Sequence, residues 1–161
     1  MKEHYLLPGD IFADYSPTMI TTVLGSCVSI CLWDPYLNIG GINHYLLPFW
    51  NGEGLASPRY GNVAFEKLLE KMQRLGSNLQ DVKAKVFGGA AVLEIVSRNM
   101  SVGERNITLA KEMLNEFRIP IISSDVGGTV GRKLKFNSQT GVVFIKRLQK
   151  KTFVQLYSDN N

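Results

Sequence analysis

The sequence is poor in the residues that build metal sites and disulfide frameworks. Its 161 residues include two cysteines and two histidines. Cys27 and Cys31 are four apart, and along one strand that spacing is about 13 Å, too far for a disulfide. Both are expected to be free thiols. Two thiols and one nearby histidine fall short of a zinc ligand set, so no metal is expected. Long hydrophobic runs are also missing. Nothing approaches the roughly 18 apolar residues of a membrane span, and the N-terminus carries acids early, unlike a secretory signal. The expectation is a cytoplasmic protein without membrane insertion. Concentrated charge is missing too. A net charge of +4 is too mild and scattered for a nucleic-acid protein. The densest basic run, residues 146–151, reads as a solvated strand end. The glycine clusters at 87–90 and 126–132 lack Walker spacing, and GGTVGRK lacks the hydroxyl residue after lysine. They read as tight turns and close packing, with Asp125 and Arg132 placed to pair across one of them.

What is present is concentrated in residues 21–47. From Val28 the apolar residues alternate. Val28, Ile30 and Leu32 point one way, while Cys27, Ser29, Cys31 and Trp33 point the other. Asp34-Pro35, Asn38 and Gly40-Gly41 supply turn chemistry, and the chain returns through Ile42 to Leu47. Paired as an antiparallel hairpin, Cys27 either faces His44 directly or lies one diagonal away, within roughly 4.5–8 Å by backbone position. A slip of one residue would place them on opposite faces. A thiol beside an imidazole can be activated, because the ring supplies either a base or a cation. Gly25, just before Ser26-Cys27, leaves room for close approach. A buried, inert cysteine and a histidine making one hydrogen bond form the bland alternative. The third group that usually holds a catalytic histidine is less defined. Thr21 lies an even number of residues from Cys27, Thr22 is a rival, and Asn38 and Asn43 are the amides nearby.

Around this hairpin the chain reads as a single α+β domain over residues 1–161, with mixed or antiparallel β-sheets packed with two main helices. An early strand is expected within residues 9–15. Residues 48–58 form a Gly- and Pro-rich loop with aromatic Phe49 and Trp50 beside the site. Helices are expected over 62–75, stopped by Gly76, and over 103–117, with Ile107, Ala110, Met113, Leu114 and Phe117 inward. Strands are expected over 82–87 and 119–124, with a hairpin from 134–136 to 142–148 and an edge strand near 153–157. Residues 92–96 are ambiguous, and the tail at 158–161 is polar and frayed. Gly103-Glu104-Arg105-Asn106 is either a surface recognition element or a polar helix start.

The segments TTVLGSCVSICLWDP, GGINHYLLP, KVFGGA, GERN and DVGGTVGRKLKFNSQTG resemble the chemoreceptor glutamine deamidases of bacterial and archaeal chemotaxis, the CheD family. The resemblance runs from about Thr21 to Gly141. It implies an α/β sandwich related to deamidating toxins, with a cysteine nucleophile at Cys27, a base at His44 and a supporting threonine at Thr21. Family members convert selected receptor glutamines to glutamates, and some also cleave receptor methyl esters. Many bind a chemotaxis phosphatase of the CheC type through a region similar to Gly103, Glu104, Arg105 and Asn106. On this reading Cys27 attacks the glutamine carbonyl. The oxyanion is held by backbone N–H groups near Gly25, Ser26 and Cys27, and a γ-glutamyl thioester forms and is hydrolysed. No cofactor is needed. The partners expected are receptor cytoplasmic helices, and the protein is expected to be a monomer. The alternatives are a binding module for receptor or phosphatase, another Cys-His acyl-transfer enzyme, and a structural protein with a buried thiol.

Overall fold

Period-two alternation and two helical stripes produce nine strands and two helices in the computed structural model, which describes residues 1–91 and 100–149. The strands are β1 (Lys2–Tyr5), β2 (Ile11–Asp14), β3 (Thr18–Leu24), β4 (Val28–Asp34), β5 (Ile39–Asn43), β6 (Lys83–Gly88), β7 (Ile121–Val126), β8 (Arg132–Asn137) and β9 (Val143–Arg147). Helix α1 spans Gly61–Arg74 and α2 spans Val102–Glu116. The strands form two sheets, ordered β1-β3-β8-β9 and β2-β5-β4-β6-β7, with β1–β3 and β6–β7 parallel and the other pairs antiparallel. The α+β expectation holds. The expected strand at 153–157, the ambiguous run at 92–96 and the tail lie outside the described residues.

The two faces of the five-stranded sheet carry two cores. Val28, Ile30 and Leu32 of β4 and Ala84 and Val86 of β6 meet the inward stripes of the helices, among them Leu68, Met72, Ala110 and Leu114. The opposite face carries Cys27, Cys31, Ile42 and Phe87, which pack against Ile20, Leu24, Leu134 and Phe136 of the four-stranded sheet. The alternation read from β4 therefore separates a helix-facing core from a core between the sheets. Phe117 departs from the expected stripe. It follows the last turn of α2, is 43% exposed, and meets Phe65 edge-on at 5.5 Å.

Helix ends follow local chemistry. The Ser101 hydroxyl accepts the Glu104 N–H at 3.1 Å and starts α2, satisfying one orphan donor of the first turn. Gly76, at φ +99°, ends α1 in the left-handed region that only glycine enters freely. Gly88, at φ +105°, does the same for β6, and a Cβ there would lie 2.2 Å from the Cys27 carbonyl oxygen. That close approach lets Gly89 N–H donate to Cys27 O and Ala90 N–H to Gly25 O, both at 2.9 Å. The glycine cluster thus holds the cysteine loop by its backbone.

Asp125 and Arg132 do pair, at 2.8 Å. The Arg132 guanidinium is buried and also donates to the carbonyls of Gly127 (2.8 Å) and Gly88 (3.4 Å). Arg147 approaches Asp125 from the exposed side at 3.1 Å. Partial burial pulls the Asp125 carboxyl upward, but hydrogen bonds from Arg132 and Arg147 outweigh it and hold it below its usual value. Asp125→Ala would leave a buried guanidinium without its counter-charge, so it should cost about 3 kcal/mol. Urea unfolding should show this as a lower midpoint at an unchanged slope.

Candidate active site

The β4–β5 hairpin sets the register between the thiol and the imidazole. Cys31 pairs with Ile42, and the same register continues to a bridge between Val28 and Tyr45. Cys27 is therefore a diagonal neighbour of His44, and both lie on the face toward the four-stranded sheet. Ser29 stands directly opposite His44. Cys27 is 5% exposed and borders a cleft of about 420 Å³ lined by Ser26, Cys27, Leu46, Leu47, Arg59, Tyr60 and Val102. Of the adjoining loop, Phe49 is exposed and Trp50 half-buried.

The group that holds His44 is a threonine, but it is Thr22 rather than Thr21. Thr22 Oγ1 lies 2.8 Å from His44 Nδ1 and 2.7 Å from the Leu6 carbonyl oxygen. Thr21 sits on the outer face of the four-stranded sheet, with Lys133 and Lys135 beside it. Counting an even separation from Cys27 to Thr21 assumes one continuous strand. The chain instead leaves β3 at Leu24, crosses through Gly25 and Ser26, and enters β4 in the other sheet. The signal was local to β3, where Ile20 and Leu24 share parity with Thr22. Asn43 and Asn38 do not reach the ring. Asn43 Oδ1 accepts the Ile30 N–H, and Asn38 occupies a turn at φ +54°.

These contacts settle the tautomer of His44. A hydroxyl has one proton, and a carbonyl oxygen can only accept. Thr22 therefore donates to Leu6 O, and its oxygen accepts from His44 Nδ1–H. Nε2 then carries the free lone pair. It is buried and makes no hydrogen bond among the described residues, and Ser29 Oγ, across the ladder, makes none either. Burial pushes the His44 pKa down to about 3. Burial also pushes the Cys27 thiol up to about 12, against a smaller downward pull from its own backbone N–H. The resting pair is thus a neutral thiol and a neutral imidazole whose basic nitrogen is bare. Cys31 is fully buried, with its thiol raised by desolvation against a smaller opposing pull from Lys85, and is structural.

The His44 shift has a stability consequence. Its folded pKa lies below the ordinary 6.5, so the unfolded chain binds the proton first. The contribution is full above pH 6.5 and is lost as pH falls from 6.5 toward 3. The shift corresponds to a limit on the order of 4–5 kcal/mol. His44→Gln should flatten the pH dependence of the melting temperature between pH 6 and 4 relative to wild type.

The 103–106 stretch is only partly a surface. Gly103 packs on Gly89 and Ala90 so closely that a Cβ would lie 2.3 Å from Gly89 O. Asn106 is 0% exposed. Its side-chain amide nitrogen donates to Ser26 O at 3.0 Å and Leu46 O at 2.9 Å, while Tyr45 Oη donates to its main-chain carbonyl at 2.6 Å. Asn106 therefore ties the loop before Cys27 to the segment after His44, and its Oδ1 is buried without a partner among the described residues. Of the four residues, Glu104 and Arg105 alone are exposed. A surface reading of all four fails because Gly103 and Asn106 face inward to seat α2 on the cysteine loop. Ser26 lines the cleft and Gly25 anchors Ala90, and no carbonyl among the described residues accepts the Ser26 or Cys27 N–H. Among the described residues no cluster of His, Cys, Asp or Glu could hold a metal, and no helix is long and apolar enough to cross a membrane.

A family model described as CheD chemotactic sensory transduction matches residues 46–147. A probable chemoreceptor glutamine deamidase CheD from Trichlorobacter lovleyi is 49% identical over 147 residues, covering 91% of each chain. Its namesake from Sulfurimonas denitrificans is 48% identical over 153 residues, 94% of this chain and 98% of the relative. One from Rhodospirillum rubrum is 40% identical over 97% of this chain and 88% of its own. These relatives match too much of the sequence to leave out the hairpin that carries Cys27 and His44. The chain belongs to the CheD family.

Proposed function

We propose that this protein is a chemoreceptor glutamine deamidase that works through a cysteine thioester, and so adjusts which receptor positions can be methylated. The observation that carries the reading is the His44 imidazole. It lies buried on the same sheet face as Cys27, which borders the cleft, its Nδ1–H is committed to Thr22, and its Nε2 lone pair is left without a partner among the described residues. The names of the relatives supply the substrate class.

A glutamine side chain enters the cleft with its carbonyl carbon toward Cys27 Sγ. The sulfur–carbon bond forms as the thiol proton passes to His44 Nε2 and the carbonyl electron pair moves to oxygen. The Ser26 N–H, which no carbonyl among the described residues accepts, and the Cys27 N–H beside the sulfur are the donors that stabilise that oxyanion. The first residue of α2, Val102, lines the same cleft, so the positive end of the helix dipole adds to the field there. The tetrahedral species collapses, the carbon–nitrogen bond breaks, and Nε2–H protonates the departing nitrogen, which leaves as ammonia. Water then attacks the thioester carbonyl and gives a proton to Nε2. The carbon–sulfur bond breaks, sulfur regains a proton, and glutamate is released. Thr22 is a positioning residue in this scheme. It holds the ring in the tautomer that each step requires.

Methyl-ester hydrolysis would follow the same path with methanol leaving. A phosphatase docking at residues 103–106 would meet the side chains of Glu104 and Arg105. The test is ammonia release from a receptor cytoplasmic fragment, measured with and without an added primary amine. Ammonia release coupled to glutamate supports the deamidase. Incorporation of the amine as the main product, or a cut peptide chain, would make this a different acyl-transfer enzyme.

A further inference from the structure

The cleft wall carries one full charge, Arg59, and nothing in the described protein neutralises it. Its neighbours there are Leu46, Leu47, Tyr60 and Val102, which are neutral. The ion pairs of the described residues join Asp125 to Arg132 and Arg147. The Arg59 guanidinium has neither a carboxylate nor a hydrogen-bond acceptor among them. The residue is nevertheless fixed relative to the chemistry. Its carbonyl accepts the N–H groups of Leu46 at 2.8 Å and Leu47 at 3.2 Å, the residues that follow His44. Its stem packs over Gly9, where a Cβ would lie 3.1 Å from Arg59 Cγ, and the Gly9 N–H donates to the His44 carbonyl at 2.8 Å. The arginine therefore leaves the same backbone junction that positions the imidazole.

We infer that Arg59 is a specificity determinant, selecting glutamines that have a carboxylate within one helical turn on the substrate. A guanidinium presents donors in a planar fork suited to a carboxylate. Side chains three or four apart on a helix lie about 5–6 Å from one another. That span fits a cleft of about 420 Å³ bordered by both Cys27 and Arg59, with the amide at the thiol and the carboxylate at the guanidinium. The reading rests on the deamidase function proposed above, and it names which glutamines that site takes.

The test uses helical receptor-derived peptides with one glutamine and Glu, Ala or Lys at the positions three and four residues to either side. Ammonia release gives kcat/KM for wild type, Arg59→Gln, Arg59→Lys and Arg59→Glu. Wild type should favour the Glu peptide over the Ala peptide by about tenfold, with the Lys peptide slower still, and the preference should shrink as salt is added. Arg59→Lys should keep the preference in weaker form, Arg59→Gln should bring the ratio near one, and Arg59→Glu should invert it toward Lys. Equal wild-type rates on all three peptides would overturn the role of Arg59 and leave the deamidase intact. A Glu preference that survives Arg59→Gln would do the same. No turnover of any peptide by wild type would overturn the deamidase reading and this inference together.

Discussion

Cys27→Ala should lower deamidation by about 10⁴-fold or more, because covalent catalysis is removed with the nucleophile. The variant should fold, since the lost sulfur sits at the cleft edge of a core that Leu24, Phe87 and Phe136 fill from the two sheets. Cys27→Ser makes a sharper probe. It keeps the shape but offers a hydroxyl far less acidic than a thiol, to a histidine whose own basicity burial has reduced. Serine should therefore rescue little, with activity still down by on the order of 10³-fold. Receptor binding should persist in both variants. Loss of turnover with binding retained separates a nucleophile from a residue that merely supports the surface. Alkylation should report the resting state. A thiol held near 12 should react slowly with iodoacetamide at neutral pH and faster as pH rises.

His44→Gln should cost roughly 10²- to 10⁴-fold in kcat, the range for losing a general acid–base group, with a much smaller change in KM. Glutamine keeps a polar side chain but has no nitrogen that can take and return a proton. The pH profile follows from the directions of the two shifts. The active form is the neutral pair, so kcat/KM should be flat across the neutral range. It should fall on the acid side only as His44 protonates, toward pH 3, and on the alkaline side as Cys27 ionises, toward pH 12. A preformed thiolate–imidazolium pair would instead give an acid limb set by the thiol, as in cysteine enzymes with a depressed thiol pKa. Thr22→Val should lower kcat by roughly tenfold to a hundredfold, a fraction of the full general-base loss, because the ring is no longer held in one tautomer. Thr22→Ser should restore most of it. Thr21→Val should leave the rate close to wild type, since that side chain faces away from the ring.

The hairpin was legible because its information is local. Alternation in β4, the Asp-Pro break and the return through Ile42 fix a register within one supersecondary unit, and the cysteine and histidine fall on one face whichever of the two registers is taken. The helices were legible for the same reason, from their stripes and from Gly76. Thr22 stood only as a rival to Thr21 because the choice between them depends on a change of sheet between Leu24 and Val28, and nothing in a period-two pattern marks that crossing except Gly25. Asn106 reads as surface in the sequence because polar residues usually are. Its burial follows from the seating of α2, where Gly103 packs on Gly89 and the Asn106 amide reaches Ser26 and Leu46, far away in the chain. Arg59 gave no signal at all. It lies in a loop, and its importance arises only when the segment after His44 folds back onto its carbonyl.

The decisive measurement is mass spectrometry of a purified receptor cytoplasmic fragment incubated separately with wild type and with Cys27→Ala. The expected result is conversion of specific glutamines to glutamates by wild type alone, with a transient species on Cys27 weighing as the substrate segment less one ammonia. Glutamate formed equally by Cys27→Ala, or a receptor left unchanged by wild type while still bound, would contradict the thiol–imidazole mechanism.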